Sequence, residues 1–180
     1  SRVSLWLRNE IRAEAINSKR ENSEYLPGYA LHDNLLATAS LESAINDIDI
    51  LFVAVPSKSF REVTREVARH IGSNTLVVSL TKGIEADGFR LMSQILREEL
   101  PDNPVAVLSG PNLAAEIAAG QITGSVVASA STSINTTLHD LLHSESFLVF
   151  ASHDMYGVEL GGALKNVYAI LAGLGAALEF

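Results

Sequence analysis

The sequence predicts an α/β protein built on a doubly wound, mostly parallel sheet. Short, apolar, β-branched segments alternate along the chain with longer segments whose apolar residues have helical spacing. The segments 50–55 and 76–80 are continuously apolar, which is typical of strands covered on both faces. No internal repeat or low-complexity segment interrupts this alternation. We therefore expect helices on both sides of one sheet.

The individual elements follow from the spacing of apolar residues and from the turn residues between them. Residues 57–70 place Phe60, Val63 and Val67 on one side and Arg and Glu opposite, the pattern of an amphipathic helix. Pro101 ends the helix before it, because proline cannot continue a helix. In chain order, the predicted elements are strand 3–7, helix 10–19, loop 22–34, strand 35–39, helix 41–46, strand 50–55, helix 57–70, strand 76–80, helix 88–100, strand 105–108, helix 113–119, strand 124–129, helix 133–143, strand 147–150 and a long helix from Met155.

The long helix is the most informative segment, since residues 157–176 are mostly apolar with one lysine, Lys165, near the middle. An ammonium group buried in such a helix is costly unless it is paired, so this lysine either extends to solvent or serves a reaction. Helical side chains lean toward the N-terminus, so Lys165 lies over Gly161 and Gly162, where no side chain fills the space. With the amide of Asn166 beside it, this arrangement suggests a reaction site.

The same helix has the length of a membrane span, because roughly 20 apolar residues cross a bilayer. Glu159, Lys165 and Asn166 lie within it, and charged groups are expensive at that depth, so we expect no span. Strand–helix alternation gives way to this helix near residues 151–154. We therefore expect an α/β domain over residues 1–152 and the start of a second, helical domain over 153–180.

Composition argues against several classes of protein. The 180 residues, 47% of them hydrophobic, suffice for one sizeable core and part of a second domain. A net charge of −8, with Lys and Arg scattered, argues against a nucleic-acid partner or an acidic membrane surface. The chain has no cysteine, which leaves no disulfide framework or thiol catalysis and fits a cytoplasmic protein. We expect no metal site.

Three predicted strand ends carry residues suited to ligand binding, and in open α/β sheets ligands bind beyond the carboxyl ends of strands. Lys82 precedes Gly83, where the backbone can approach a ligand closely, although an ordinary solvated lysine is the commoner case. Residues 109–112 precede a helix, so their amides either face a polar ligand or form an ordinary N-cap. Arg8 follows the first strand, where an arginine either accommodates a ribose phosphate or lies on the surface.

Six short segments, spread over essentially the whole chain, carry a family resemblance. They are LWLR at 5–8, YLPG at 25–28, VAVPS at 53–57, TKGIE at 81–85, LSGPNLAAE at 108–116 and VELGGALKN at 158–166. Together they resemble bacterial NAD(P)-dependent glycerol-3-phosphate dehydrogenase. One such motif is weak evidence, whereas six in order and spacing are highly specific, and the last is close to diagnostic.

The resemblance implies a Rossmann-type domain that binds NAD or NADP, followed by the first long helix of an all-helical substrate domain. It implies interconversion of sn-glycerol 3-phosphate and dihydroxyacetone phosphate, feeding glycerophospholipid synthesis. The sequence does not fix the oligomeric state, and a homodimer is kept as a candidate assembly. The mixed signal of Arg8 followed by Glu10 leaves the choice between NAD and NADP open.

By motif position, the resemblance makes Lys165 the proton acceptor for the C2 hydroxyl, or the donor when the ketone is reduced. It assigns Lys82, Gly110 and Asn112 to the substrate together with Lys165. Asn112 stands where Ser or Thr is more usual, and an amide can still donate a hydrogen bond. We expect Lys165 to be buried in its apolar helix and to lie near a second cation, Lys82. The residues assigned to the cofactor are Arg8, Tyr25, Lys82 and Ala114.

Two parts of the family pattern are missing from these 180 residues. The first strand and its glycine-rich turn, which hold the cofactor pyrophosphate at a helix N-terminus, are expected before Ser1. The arginine that binds the substrate phosphate is expected after Phe180, where the helical pattern is still running. We therefore expect the fragment alone to bind cofactor poorly and to be inactive.

Two other readings stay open. A ketopantoate reductase or a β-hydroxyacid dehydrogenase shares the fold and a lysine–asparagine pair, but not Gly110–Pro111 and Gly161–Gly162 in this setting. The chain could also be a non-catalytic, truncated module, in which the long apolar helix is an interface that seeks a partner.

Overall fold

The computed structural model describes residues 1–178, so the last two residues of the predicted helical segment 153–180 lie outside it. The predicted alternation of strands and helices is confirmed, with most boundaries shifted by one or two residues. The elements are β1 Val3–Trp6, α1 Glu10–Lys19, β2 Glu21–Asn22, β3 Leu26–Ala30, β4 Leu35–Thr38, α2 Leu41–Ile45, β5 Ile50–Val53, α3 Ser57–Ala68, β6 Leu76–Ser79, α4 Met92–Glu99, β7 Val105–Ser109, α5 Ala114–Ala118, β8 Thr123–Ala128, α6 Thr132–Leu142, β9 Phe147–Ser152 and α7 Met155–Ala177.

The main sheet has five strands in the order β5-β6-β7-β8-β9. All neighbouring strands are parallel except β7 and β8, which run antiparallel, so the prediction of a mostly parallel sheet is confirmed. A separate pair, β1 and β4, is also parallel. Strands β5, β6 and β7 therefore end at the same edge of the main sheet, and the loops that follow them meet there.

Helices cover both faces of the main sheet, as the apolar strands predict. Adjacent residues Val77 and Val78 of β6 are both fully buried but belong to different cores, since successive strand side chains point to opposite faces. One core contains Phe60 of α3 and Ile95 of α4, and the other contains Leu138 of α6. The sheet is thus wound on both sides, which leaves its edge for a ligand.

The prediction of a loop over residues 22–34 is wrong, because β2 and β3 pair there as an antiparallel hairpin. Gly28 lies inside β3 with φ of +83°, so the Pro–Gly pair that indicates a turn is instead part of a strand. The side chain of Arg20 holds the chain after the hairpin through hydrogen bonds to the carbonyl groups of Leu31, His32 and Leu35. These hydrogen bonds come from a residue outside the segment. The amino-acid composition of the segment alone indicates a loop.

Helix α4 begins at Met92, four residues later than the predicted start at 88. Gly88 and Phe89 adopt left-handed φ angles of +80° and +52°, which a right-handed helix cannot contain. The amide of Leu91 instead donates to the side chain of Gln94, at 2.8 Å, and this bond starts the helix. The residues between β6 and α4 thus form a long folded connection that contains Lys82.

Candidate active site

A cleft of about 250 Å³ lies between the carboxyl end of β7 and the first half of α7. Ser109 and Gly110 line it from the strand, and Gly161, Gly162 and Lys165 line it from the helix. A Cβ atom on Gly161 would meet none of the neighbouring elements within 4 Å, so the predicted space is present there, whereas a Cβ atom on Gly162 would lie 2.5 Å from the Ser109 hydroxyl. The cleft is thus open to a small polar molecule beside a cation.

Lys82 brings the loop after β6 to this cleft. Its Nζ donates a hydrogen bond of 2.6 Å to the carbonyl oxygen of Gly110. Burial lowers the pKa of Lys82, and the positive charge of Lys165 lowers it further. The structure therefore places three of the predicted site residues, Lys82, Gly110 and Lys165, beside one another.

The loop that carries Lys82 is held from both sides. The hydroxyl of Thr81 donates to the carbonyl of Val55 at 2.8 Å, which joins the ends of β5 and β6. Gly83 has φ of +151°, and a Cβ atom there would lie 2.7 Å from the Cβ of Ser57 on α3. Only glycine fits this close approach, so the sequence feature that suggested ligand contact also serves packing.

An arginine of α3 binds three carboxylates, one of which, Glu85, lies on the same loop. The guanidinium of Arg61 on α3 donates to both carboxylate oxygens of Glu85, each at 2.7 Å, and lies at 2.6 Å from Glu99 and 2.7 Å from Glu98. Hydrogen bonds from Arg61 hold the pKa of Glu85 below its usual value. This cluster fixes the loop to α3 and α4 three residues after Lys82.

Gly110 and Asn112 are placed by β8. A Cβ atom on Gly110 would lie 2.5 Å from the carbonyl oxygen of Gly124, so the two backbones touch because Gly110 has no side chain. The buried hydroxyl of Ser125 donates to Oδ1 of Asn112 at 2.9 Å. With its oxygen bound, Asn112 can present its amide NH₂ group as a donor to a ligand.

Lys165 itself is exposed in the structure of residues 1–178. The prediction that it is buried is therefore wrong. Helix α7 is covered only in its first turns, where it contacts β7 and β8 and buries Met155 and Glu159. The large apolar side chains beyond Lys165 are more than half exposed. The apolar pattern of a helix shows which residues need cover, but not whether the same segment of chain supplies that cover.

Among residues 1–178, α7 is the one helix long and apolar enough to cross a membrane by length and composition alone. Its first turns are packed on the sheet, with the carboxylate of Glu159 hydrogen-bonded to Ser93 of α4. The absence of a span stays a prediction.

Of the residues assigned to the cofactor, Lys82 contacts the cleft lining through its hydrogen bond to Gly110, and the others lie apart from it. Arg8 is exposed directly after β1, and Tyr25 is exposed at the hairpin, with the guanidinium of Arg12 over its ring at 5.2 Å. Ala114 begins α5, which contacts β3 of the same hairpin. An exposed aromatic ring fits the adenine of a dinucleotide, and an exposed guanidinium at the end of β1 fits the additional ribose phosphate of NADP.

Sequence reasoning passed over Glu159 as a functional residue. It is buried, and it accepts hydrogen bonds from the backbone amide of Ser93, at 2.8 Å, and from the Ser93 hydroxyl. Burial raises its pKa, and the bonds from Ser93 oppose that rise. A single acidic residue within an apolar helix is a sequence feature that could have indicated a role for Glu159. The sequence does not, however, indicate that Ser93 is its partner.

The fold defines a Rossmann-type α/β domain of the kind that binds dinucleotides, with a lysine-containing cleft at the carboxyl edge of the sheet. Residues 1–135 match a family model described as the NAD-dependent glycerol-3-phosphate dehydrogenase N-terminus. The chain belongs to the NAD-dependent glycerol-3-phosphate dehydrogenase family.

Individual relatives agree with this assignment. Over 174 residues, 97% of the chain, it is 53% identical to a glycerol-3-phosphate dehydrogenase [NAD(P)+] of Saccharophagus degradans. A crystal structure of glycerol-3-phosphate dehydrogenase from Coxiella burnetii matches 99% of the chain and 55% of its own length, with a TM-score of 0.90 at 32% identity. The chain spans about half the length of the curated relatives it matches, 49% in the first case.

A ketopantoate reductase from Ralstonia eutropha has a similar structure, with a TM-score of 0.62 at 16% identity over 87% of the chain and 51% of its own length. That likeness shows the fold alone.

Proposed function

We propose that these residues form the proton-transfer side of an active site that interconverts sn-glycerol 3-phosphate and dihydroxyacetone phosphate with NAD or NADP. One observation carries the proposal. Lys82 and Lys165 lie beside one another at a cleft floored by Gly161 and Gly162, at the carboxyl edge of the sheet. We infer that this cleft is the place where a small hydroxyl or ketone substrate meets a base.

Lys165 is proposed to exchange the proton of the substrate. When the C2–H bond breaks, the hydroxyl proton must leave as the carbonyl forms, and uncharged Nζ of Lys165 accepts it. A nicotinamide cofactor held by Arg8, Tyr25, Lys82 and Ala114 would supply the hydride acceptor for C2, or the hydride donor in the reverse direction. In that reverse direction the ammonium form of Lys165 gives the proton back to the oxygen.

Lys82, Gly110 and Asn112 are proposed to hold the substrate. The Lys82 ammonium already donates to the Gly110 carbonyl at 2.6 Å, so it is oriented toward the cleft and can share its remaining protons with a substrate oxygen. Ser125 orients the Asn112 amide so that its NH₂ group can donate to the same molecule. These groups bind and orient the substrate, and they transfer no proton.

Arg8, Tyr25, Lys82 and Ala114 are proposed to hold the cofactor, which is NAD or NADP. Residues 1–152 are proposed as the cofactor domain and 153–180 as the start of a helical substrate domain. We further propose a cytoplasmic enzyme that feeds glycerophospholipid synthesis and that forms a homodimer. An adenosine end bound at Arg8 and Tyr25 agrees with the exposure of both side chains.

A non-catalytic interaction module is the second candidate, and the exposed apolar residues of α7, such as Leu171 and Leu174, favour it. Such a module has no need for a lysine pair at a glycine-lined cleft, so the enzyme is preferred. The ketopantoate-type alternative has only the likeness of fold to support it.

Replacement of Lys165 tests the proposal in a full-length chimera, in which this segment replaces the aligned region of the Saccharophagus degradans relative. Lys165→Met should lower kcat for glycerol 3-phosphate oxidation by about 10²–10⁴-fold, because it removes the base and keeps the length of the side chain. Lys19→Met, which alters an exposed lysine of α1, is the matched control. Steady-state kinetics and cofactor binding by fluorescence measure both variants. A near-normal rate in Lys165→Met would overturn the assignment.

A further inference from the structure

The first turns of helix α7 pack on β7 and β8, with Val158 partly buried against the core, but few of its side chains are fully buried. Of its 23 residues, Met155 and Glu159 are the two that are buried. They stand four residues apart and therefore lie on one face of the helix. Lys165 lies on a different side of the helix, further along, so its position in the cleft depends on how Met155 and Glu159 hold the first turns.

Both buried residues contact helix α4, again through two residues four apart. The amide and hydroxyl of Ser93 donate to the two carboxylate oxygens of Glu159. The guanidinium of Arg97 lies 3.2 Å from the sulfur of Met155, and its positive charge also acts on Glu159. Ser93 is the second residue of α4, where helix amides have no partner within the helix and favour a negative charge.

A buried carboxylate is a costly way to attach one helix to another. Burial raises the pKa of Glu159, which shows that its charged form is disfavoured there, and an apolar side chain would bind an apolar core at lower cost. The advantage of the carboxylate is that its hydrogen bonds fix the orientation of α7. Two hydrogen bonds from one serine to its two oxygens define both the axial position and the rotation of α7, whereas Met155 alone tolerates sliding.

The geometry of the cleft requires that α7 be held in a defined position relative to β7. A Cβ atom on Gly162 would lie 2.5 Å from the hydroxyl oxygen of Ser109, so the helix runs close to the end of β7 at this point. A slip of one residue would rotate α7 by about 100° and carry Lys165 away from Lys82. Lys165 stands six residues after Glu159, about 9 Å along the axis, so the attachment determines where it lies.

We propose that Glu159, held by Ser93, is a positioning residue that sets the register of α7 and thereby places Lys165 beside Lys82 in the cleft. The inference rests on the proposed function, because it concerns where the proposed base is held. Glu159 does not line the cleft, and it acts through α7 alone.

The test compares Glu159→Ala, Glu159→Gln and, as the matched control, Glu145→Ala at an exposed acidic residue in the full-length chimera. Glu159→Ala should lower kcat at least tenfold per folded molecule, with the KM for the cofactor unchanged. Glu159→Gln should retain most of the rate, because an amide oxygen still accepts from the Ser93 amide and its NH₂ can donate to the hydroxyl. Amide hydrogen exchange in residues 157–166 should rise in the alanine variant and stay near the parent level in the glutamine variant.

The outcomes separate this inference from the proposed function. Unchanged kcat and unchanged exchange in Glu159→Ala, with Lys165→Met inactive, would overturn the positioning role and leave the function standing. Increased exchange in Glu159→Ala that glutamine rescues would support the positioning role even if Lys165→Met were active, in which case the base assignment fails. Equal losses of rate in the alanine and glutamine variants would also overturn the role, because they would point to the charge rather than to the attachment.

Discussion

The two sides of the cleft are built in opposite ways. The strand-end side, residues 81–85 and 109–112, is held by close backbone contacts, by the Thr81 hydroxyl and by Arg61 with its three carboxylates. The helix side, residues 157–165, is held through Met155 and Glu159, and Lys165 is exposed at its end. One side is thus fixed by hydrogen bonds and close contacts along its length, and the other by the packing of the first turns of α7 alone.

This difference indicates that the two sides of the cleft have different roles. The strand-end side is assembled within the sheet domain and can orient Lys82 without help from α7, because its hydrogen bonds run to the ends of β5 and β7 and to α3, α4 and β8. The helix side supplies the proposed base, and its position can change with any contact made along the exposed part of α7. We therefore expect substitutions at packed positions of the strand-end side, such as Gly83, to affect mainly folding, and substitutions on the helix side to affect mainly the reaction.

The largest expected effect comes from filling the tightest point of the strand-end side. Gly83→Ala should destabilise the full-length chimera by about 2–4 kcal/mol, since it combines a left-handed φ of +151° with a Cβ contact of 2.7 Å to Ser57. Gly88→Ala is the matched control, because Gly88 also has a left-handed φ, of +80°, but open space around it. Urea unfolding measures both variants. Equal losses would show that backbone strain, and not the contact with Ser57, requires glycine.

An intermediate effect is expected from pH, and its sign should differ between the two sides. Hydrogen bonds from Arg61 lower the pKa of Glu85, so the stability that Glu85 contributes is present above the unfolded value near 4.5 and is lost as pH falls through the lower folded value. Burial raises the pKa of Glu159, so its contribution is full below 4.5 and declines as pH rises through the higher folded value. Acid thus weakens the strand-end side and favours the attachment of α7.

Melting temperatures between pH 3 and 8 measure this difference in the parent chimera, in Arg61→Met and in Glu159→Gln. Arg61→Met should flatten the loss of stability below pH 4.5, because Glu85 then titrates nearly alike in the folded and unfolded states. Glu159→Gln should gain stability relative to the parent as pH rises above 4.5, since glutamine carries no charge to bury. The same pH dependence in all three proteins would remove the proposed contrast between the two sides.

The smallest effect on stability, and the sharpest contrast, is expected at two adjacent glycines of α7. Gly161→Ala should stabilise the helix by up to about 1 kcal/mol, because a Cβ there meets nothing within 4 Å and alanine favours helix. It should also reduce activity by narrowing the cleft. Gly162→Ala should gain no stability, since its Cβ would lie 2.5 Å from the Ser109 hydroxyl. Thermal unfolding and the KM for glycerol 3-phosphate measure both, and an unaltered KM in Gly161→Ala would show that the substrate lies elsewhere.

Local pattern predicted much of the fold. The apolar runs of β5 and β6, the amphipathic face of α3 with Phe60 and the Pro101 helix end all appear in the structure where the sequence indicates them. The errors fall where tertiary contacts override local signals. The hairpin of β2 and β3 is held by Arg20, and the late start of α4 follows from left-handed residues whose conformation is set by the surrounding loop.

The sequence by itself determined the fold class, the family and the set of candidate site residues, because spacing, apolar period and motif order are properties of the chain. Only the tertiary structure showed that Lys82 donates to Gly110, that Ser125 orients Asn112, and that Ser93 holds Glu159. Each of these contacts joins residues at least 13 positions apart. Partners so distant are chosen by the packing of whole helices and strands, and no local pattern in the sequence records that choice.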